Sequence, residues 1–320
     1  MEDATGTTTD ELGRVAVLGG TGFIGHRLAR RLAEIGARVT TIQRGTTAAT
    51  DSTPGVATMV ADRADASALR AALAMAAPAV LVDMIAYTAA DAERLLAALP
   101  SSLERLVLIS SGDVYWTYGA FLGHETEKPA SAPLDESAPV RRARHPYRTQ
   151  APGPDDLRYS YDKLDVEDLL RARSPAPVTV LRLPMVYGPG DPQRRVAGVV
   201  ERLRSASGTL RLNADEATWR TTRGYVEDVA FAVALAAIDQ RAAGATYNLG
   251  ESDALTEREW ILAVANSAGW EGEVVADPES APSLPAHWEF SLATSTHRIR
   301  DELGYQEPVG RIEGLRRSVP

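Results

Sequence analysis

The sequence predicts an α/β fold in which short strands alternate with helices along most of the chain. Three observations near the N-terminus predict it. The apolar run Arg14–Leu18 ends at glycines, as a buried strand does. Residues 23–35 then repeat apolar side chains at helical spacing and stop at Gly36. The β-branched segment Arg38–Gln43 follows as a second strand, so the first elements form a βαβ unit.

The same alternation continues to Leu183. It predicts strands at 58–61, 79–84, 105–110 and 178–183, and helices at 66–76, 89–98 and 160–173. Residues 116–157 are rich in proline and charge, and we expect a long loop or lid there. The later pattern predicts helices at 199–205, 226–237 and 256–268, strands near Leu210 and at 245–249, and a helical region from Ser295. The predicted fold class is α/β, a Rossmann-type doubly wound parallel sheet with a smaller C-terminal substrate-binding region.

Composition and charge exclude several classes of function. The chain has 320 residues with a net charge of −9, which disfavours nucleic acid and anionic membranes as partners. It has no cysteine, so disulfides, cysteine-ligated zinc and cysteine nucleophiles are excluded, and no metal site is predicted. The N-terminus is polar and acidic, and no apolar run approaches the ~20 residues that span a bilayer. We therefore expect a cytoplasmic protein that acts on a small molecule.

A glycine-rich turn follows the first strand. Gly19, Gly22 and Gly25 have the spacing G-x-x-G-x-x-G between a strand and a helix. Such a turn lets backbone N–H groups approach a pyrophosphate at the positive end of the helix. The turn predicts a dinucleotide site that also involves Thr21, Phe23 and Ile24. The alternative is an ordinary strand-to-helix turn.

The end of the second strand distinguishes NAD from NADP. A carboxylate there would bind the ribose 2′-hydroxyl, but the sequence reads Gln43-Arg44. Arg44 favours the 2′-phosphate of NADP, with NAD as the alternative cofactor; the other interpretation of Arg44 is a solvated surface arginine. Asp62 is expected either near the adenine or as a cap of the next helix. The predicted cofactor contacts also include Arg63, Ile85 and Ala86.

Tyr159 and Lys163 form a Y-x-x-x-K pair, and residues four apart share one face of a helix. An ammonium beside the phenol would lower its pKa from about 10 and make it a proton donor or acceptor. Ser111 follows the strand predicted at 105–110, where its hydroxyl can bind a substrate carbonyl. The alternatives are a surface pair and a turn or capping serine.

The segments GGTGFIG, SSGDVY, YSYDK and LRLPMVYGPGD occur in this order. Together they resemble the extended short-chain dehydrogenase/reductase superfamily, which includes NAD-dependent epimerases and dehydratases, over about residues 14 to 250. The resemblance implies hydride transfer between nicotinamide C4 and a carbinol or carbonyl carbon, with Ser111, Tyr159 and Lys163 as the catalytic group. It also implies that Pro184 and Val186 line the nicotinamide side. A homodimer is expected by the same resemblance, with Ala89–Ala98 and the Tyr159 helix as candidate contacts; packing within one subunit is the alternative.

The expected domain boundaries follow from these motifs. We expect a flexible N-terminus at 1–12 and a dinucleotide-binding Rossmann domain at 13–183 that contains the predicted lid. Residues 184–320 would be mainly substrate-binding, with 224–249 returning to the Rossmann domain.

Several positions depart from the sugar-nucleotide enzymes of the superfamily. Gly112 and Asp113 stand where dehydratases have adjacent Asp and Glu, which argues against dehydration. Met185 replaces an Asn, and Thr221 an Arg, that help hold a nucleotide diphosphate. The predicted substrate is therefore a small polar compound, such as one that resembles a sugar.

The substrate-binding candidates are Asp113, Trp116, Met185 and Arg223. Asp113 is otherwise a turn residue, and Trp116 a core aromatic. The basic stretch 141–148 is expected to be a solvated loop, with a clamp for an anionic substrate as the alternative.

Three functions remain open at this point. An NADP-dependent reductase or dehydrogenase is favoured, because the Ser/Tyr/Lys set is complete and Arg44 is present. An epimerase that retains its NAD(P) is the second. A non-catalytic dinucleotide sensor or RNA-associated protein is the third.

Overall fold

The structure, a computed structural model, describes residues 13–45, 53–125 and 133–320. Its strands are β1 (Arg14–Leu18), β2 (Arg38–Gln43), β3 (Val56–Val60), β4 (Val80–Asp83), β5 (Arg105–Ser111), β6 (Val178–Leu183), β7 (Met185–Tyr187), β8 (Thr209–Asn213), β9 (Arg223–Tyr225), β10 (Thr246–Asn248) and β11 (Glu273–Asp277). Its helices are α1 (Gly25–Glu34), α2 (Ala66–Ala76), α3 (Ala89–Ala98), α4 (Trp116–Phe121), α5 (Leu157–Ser160), α6 (Lys163–Arg173), α7 (Arg195–Ser205), α8 (Ala214–Thr218), α9 (Val226–Ile238), α10 (Glu257–Ser267), α11 (His297–Leu303) and α12 (Arg311–Ser318). The N-terminal segment 1–12, predicted to be flexible, lies outside the described residues.

The main sheet confirms the predicted fold class. It has seven strands in the order β10-β6-β5-β4-β1-β2-β3. The pairs β1–β2, β2–β3, β1–β4 and β4–β5 are parallel. From β1 the chain adds strands first on one side and then, from β4, on the other. In such sheets ligands bind at the carboxyl ends of the strands where the order reverses, here between β1 and β4.

The chain divides into two compact units, of which the first comprises residues up to 110, 152–181 and 230–246. Its core is apolar, because the helices that alternate with the strands each bury one apolar face. Leu28 and Leu32 of α1, for example, are buried. Helix α3 packs against α2 and α6 within this unit.

The second unit comprises residues 111–151, 182–229 and 247–320. It contains two small parallel sheets, β7–β9 and β8–β11. Of these four strands, the sequence predicted β8 alone. Buried aromatic rings form a separate cluster, in which the ring of Phe121 stacks on that of Trp219 and meets that of Trp288 edge-on. The segment 116–157 was expected to lack regular structure, but it contains α4 and a short 3-10 turn at Arg148–Gln150.

The helix predicted at 160–173 is divided in two, so the expectation that Tyr159 and Lys163 share one helix is wrong. Tyr159 lies in the one-turn helix α5, whereas Lys163 begins α6. Asp162 has an extended backbone, with φ −160°, and its carboxylate accepts a hydrogen bond from Leu164 N at 2.9 Å. It therefore caps α6, because Asp at this position satisfies an N–H group that the helix leaves unpaired.

Candidate active site

The glycine turn is built as the sequence predicted, although each glycine has a different reason to be there. Gly19 has φ +84°, which favours glycine, and a Cβ at Gly25 would lie 2.2 Å from the carbonyl oxygen of Gly19. A Cβ at Gly22, by contrast, meets nothing closer than 3.4 Å. Gly22 and Thr21 are exposed at this turn, and Phe23 and Ile24 are half-buried beside it. The side of the turn at Gly22 thus has room for a ligand.

The end of β2 carries the residues predicted to select the cofactor. Gln43 is buried, and its side-chain oxygen has no hydrogen-bond partner among the described residues, whereas Arg44 is exposed. Asp62 accepts a hydrogen bond from Ala64 N at 2.8 Å and so stabilises the turn before α2. The cap of α2 is Asp65, whose carboxylate accepts hydrogen bonds from Ser67 N and Ala68 N, so the capping alternative for Asp62 is wrong. The carboxylate of Asp62 is exposed at this edge of the sheet.

A buried ion pair, which the sequence analysis did not predict, lies at the end of β4. Asp83 has no exposed surface, and Arg63 donates to both of its oxygens at 3.0 and 2.9 Å. Burial alone would raise the pKa of Asp83, but the charge and hydrogen bonds of Arg63 and a hydrogen bond from Ile85 N hold that pKa below its usual value. Arg63, predicted to contact the cofactor, is therefore engaged with a carboxylate of its own unit.

Lys163 lies at the same edge of the sheet as the glycine turn. Its side chain is only 3% exposed, and the ammonium donates hydrogen bonds to the carbonyl oxygens of Ala86 and Ile109, both at 2.8 Å. These carbonyls follow or end the neighbouring strands β4 and β5. The ammonium also lies 4.5 Å from the ring centroid of Tyr87. Burial raises the pKa of the Tyr87 phenol, so its ring faces the ammonium in the neutral form.

Tyr159 is 37% exposed, and α5 is held by its own hydrogen bonds. Asp156 caps this turn by accepting a hydrogen bond from Arg158 N at 2.9 Å, and Tyr159 N donates to the carbonyl oxygen of Asp156 at 2.9 Å. Tyr161, two residues on, stacks on Tyr87 with ring centroids 6.2 Å apart. The two tyrosines of the YSYDK segment therefore have different surroundings.

Ser111 and Asp113 belong to the second unit. Ser111 ends β5, and its hydroxyl oxygen accepts a hydrogen bond from Asp113 N at 3.2 Å, so it also caps the short 3-10 turn Gly112–Val114. Asp113 is buried, and the Tyr147 hydroxyl lies 3.1 Å from its carboxylate and 2.9 Å from the Tyr118 hydroxyl. Burial, first, and the charge of Asp113 raise the pKa of Tyr118 to about 12. Nothing in the sequence placed Tyr147 at this carboxylate, because the two are 34 residues apart.

The basic stretch 141–148 is not simply a solvated loop. Arg141 is 2% exposed and donates to the carbonyl oxygens of Asp113 and Ala143. Arg142 lies over the ring of Trp116, with its guanidinium carbon 4.5 Å from the centroid. Arg141 is therefore neither a solvated loop residue nor a clamp for an anionic substrate. Its guanidinium is buried inside the second unit, where carbonyl oxygens accept its hydrogen bonds.

The remaining predicted residues also lie in the second unit. Pro184 and Met185 are half-buried, and Val186 is buried. Met185 packs against the aromatic cluster rather than among polar groups, and Thr221 is buried. Arg223 is paired with Glu257 and lies over the ring of Trp260. Burial lowers the pKa of Arg223, and its Nη1 atom has no hydrogen-bond partner among the described residues.

A family model for the NAD dependent epimerase/dehydratase family matches residues 15–250, which is most of the chain. The chain belongs to this family. The protein is therefore an enzyme of the short-chain dehydrogenase/reductase type that uses a nicotinamide dinucleotide, as the sequence predicted.

Solved structures agree with this family assignment. The UDP-glucose 4-epimerase of Thermus thermophilus, in complex with NAD, is 26% identical with a TM-score of 0.69, covering 95% of this chain and 97% of its own. An epimerase from Methanothermobacter thermautotrophicus is 19% identical with a TM-score of 0.67, covering 97% and 93%. WbmG of Bordetella bronchiseptica, in complex with NAD, is 19% identical with a TM-score of 0.66, covering 96% and 92%. The last two show the fold alone.

None of the curated proteins compared with the chain is a match. Among the described residues, no helix combines the length and apolar character needed to cross a bilayer.

Proposed function

We propose that the protein transfers a hydride between a nicotinamide dinucleotide and a carbinol or carbonyl carbon of a small, polar, sugar-like substrate. The observation that carries the proposal is the position of Lys163. Its ammonium is bound to the carbonyl of Ala86, which follows β4, and to that of Ile109, near the carboxyl end of β5. The glycine turn follows β1 at the same edge of the sheet. A buried ammonium at that edge is suited to stabilise negative charge on a nearby oxygen.

Each residue of the proposed catalytic group has one role. Tyr159 passes a proton between its phenol oxygen and the substrate oxygen, and the positive charge of Lys163 stabilises the phenolate that results. The Ser111 hydroxyl donates a hydrogen bond to the same substrate oxygen. When bound, the nicotinamide supplies or accepts the hydride.

Two features of the first unit fit a dinucleotide. The turn is open at Gly22, where the phosphates would approach, and the buried oxygen of Gln43 lacks a partner among the described residues at the position expected for the ribose. We propose NADP as the preferred cofactor, because Arg44 is exposed where a 2′-phosphate would lie. The NAD complex of the Thermus epimerase favours NAD instead.

Titrating the protein with NADPH and NADH decides between the two cofactors. For NADP, the Arg44→Ala variant should weaken NADPH binding about tenfold and leave NADH binding unchanged. An equal effect on both cofactors would contradict a contact with the 2′-phosphate.

The proposed substrate lacks a nucleotide diphosphate. Met185 packs with aromatic rings and has no amide, and Thr221 is buried and uncharged, so neither position offers the amide or guanidinium that would hold a diphosphate. The candidates Asp113, Trp116 and Arg223 remain the proposed substrate contacts of the second unit.

The catalytic role of Tyr159 is tested by a pair of matched variants. Tyr159→Phe should lower kcat at least ~100-fold without changing the cofactor Kd, because only the proton-transferring oxygen is lost. Tyr161→Phe, in which a neighbouring tyrosine loses the same atom, should retain most activity. Activity can be followed as oxidation of NADPH with a panel of aldoses, ketoses and sugar lactones. Equal losses in both variants would contradict the assignment.

An epimerase that retains its cofactor is the second candidate, favoured by the likeness to the Thermus UDP-glucose 4-epimerase over most of both chains. The two functions differ in whether the cofactor leaves between turnovers. Stoichiometric nicotinamide in purified protein, together with product formation but no net NADPH consumption, would establish the epimerase. Rapid exchange of added NADPH would establish the reductase.

We further propose a cytoplasmic homodimer with no nucleic-acid or membrane partner. The net charge of −9 supports the absence of anionic partners. Sedimentation equilibrium measures the oligomeric state, and a monomer at all concentrations would contradict the dimer.

A further inference from the structure

The buried carboxylate Asp83 lies one short segment away from the proposed catalytic lysine. Asp83 accepts two hydrogen bonds from Arg63 and a third, at 2.9 Å, from Ile85 N. A buried carboxylate is stable only when it is paired and hydrogen-bonded, and these three bonds satisfy that condition. Asp83 therefore fixes the start of the segment Met84–Thr88, here called the 84–88 segment.

The other end of the 84–88 segment is fixed by a second carboxylate on the same arginine. Asp91 accepts hydrogen bonds from Tyr87 N and Thr88 N, both at 3.0 Å. Arg63 donates to the carbonyl oxygen of Asp91 at 3.2 Å, and its Nε lies 3.4 Å from the Asp91 carboxylate. One guanidinium thus joins the two carboxylates that hold the two ends of the segment.

Lys163 contacts the middle of this segment. Its ammonium donates to the carbonyl oxygen of Ala86 at 2.8 Å and lies over the ring of Tyr87. Asp162, which caps the helix of Lys163, donates its N–H to the carbonyl oxygen of Tyr87 at 3.0 Å. The 84–88 segment therefore supplies one of the two carbonyl acceptors of the ammonium and the ring that it faces, and the second acceptor is Ile109 of β5.

We propose that Asp83, held by Arg63, is a positioning residue for Lys163: it acts through the 84–88 segment and touches neither substrate nor cofactor. Its importance for turnover rests on the proposed function, in which Lys163 supplies the charge beside the phenol. Its effect on the geometry of Lys163 does not rest on that function and can be observed directly.

The composition makes the direct observation simple, because the chain has two lysines, Lys128 and Lys163. Protein labelled with 13C at lysine Cε should give two lysine signals, and the Lys128→Arg variant assigns the one from Lys163. The ring of Tyr87 should shift that signal away from its position in unfolded protein. The Tyr87→Leu variant, which lacks the ring, should lose this shift of the Lys163 signal.

In the Asp83→Asn variant we expect the Lys163 signal to move toward the unfolded position or to broaden. Arg63→Lys, which keeps the positive charge but loses the paired donors, should act in the same direction and serves if Asp83→Asn fails to fold. Glu93→Gln is the control, because it removes an exposed ion pair with Arg173 between α3 and α6 of the same unit. An unchanged Lys163 signal in a folded Asp83 or Arg63 variant would overturn the proposal.

Measurements of kcat test whether Asp83 affects turnover through Lys163. Asp83→Asn should lower kcat about tenfold in the wild-type background, with a shifted pH profile, because a displaced catalytic group costs rate rather than binding. In the Lys163→Ala background the same substitution should cost less than about twofold. Equal losses in both backgrounds would show that Asp83 does not act through Lys163. If Lys163→Ala alone leaves kcat unchanged, the proposed function fails, and the lysine signal still decides the positioning.

Discussion

Gly25 and Gly22 of the glycine turn are expected to have different roles, one in stability and the other in cofactor binding. Alanine substitutions at the two positions test this. In Gly25→Ala the new methyl would lie 2.2 Å from Gly19 O and 3.0 Å from the Gly20 Cα, all backbone atoms that no side-chain rotation can move. Overpacking of this kind costs about 1–3 kcal/mol. For a chain of 320 residues, this corresponds to a fall in Tm of roughly 2–5 °C.

In Gly22→Ala the new methyl meets only Gly19 O, at 3.4 Å, which is an ordinary contact. Because the backbone at Gly22 lies outside the left-handed region, alanine should keep the fold and even stabilise it by about 0.4–1 kcal/mol through the unfolded state. The same methyl would occupy the space proposed for the cofactor phosphates. The dinucleotide Kd should therefore rise at least ~10-fold, which corresponds to about 1.4 kcal/mol.

The assay pairs thermal unfolding with titration calorimetry of NADH and NADPH on both variants and the wild type. We expect Gly25→Ala to lose Tm, and Gly22→Ala to lose cofactor affinity without a fall in Tm. Wild-type affinity in Gly22→Ala would refute the placement of the phosphates at that glycine. An unchanged Tm in Gly25→Ala would refute the steric argument for the turn.

Three further predictions concern stability and turnover. Because the folded-state pKa of Asp83 lies below its unfolded value of about 3.9, its contribution is present above pH ~4 and lost as the pH falls through the folded value. Urea unfolding across this range should therefore show a steeper acid loss in the wild type than in Asp83→Asn. Arg141→Met should lower the free energy of unfolding by about 1–3 kcal/mol, since a buried carbonyl of Asp113 loses its donor; urea midpoints at constant m-value measure this. Ser111→Ala should lower kcat roughly 10- to 100-fold and leave the cofactor Kd unchanged, which steady-state kinetics and titration test together.

The parts of the fold that depend on neighbouring residues were predictable from the sequence. The β1–turn–α1 segment carries its own signals, because apolar period, glycine spacing and a helix stop all lie within about 25 residues. The short strands β7 and β9 were missed. Each has three residues, and they form only because they pair with one another across 38 residues of chain.

The buried polar contacts near the site could not be predicted from sequence patterns either. From the sequence, Arg63 was predicted to contact the cofactor and Asp83 was only part of a strand. Their pairing depends on the sheet that brings β3 and β4 to either side of β1 and β2. Arg141 belonged to a stretch whose charge suggested solvent, yet its side chain is enclosed. Charge along the sequence gives no measure of burial when carbonyl acceptors come from distant residues.

The break between α5 and α6 separates two side chains that a continuous helix would hold in one fixed relation. Lys163 is anchored by the body of the sheet, whereas Tyr159 lies on a single turn joined to it by two extended residues. With Tyr159 in its proposed catalytic role, we expect changes in the preceding loop to redirect the phenol toward substrates of different size while the ammonium stays fixed. Substrate scope in this chain should therefore be adjustable by altering residues 152–156, which a continuous helix through Tyr159 and Lys163 would not allow.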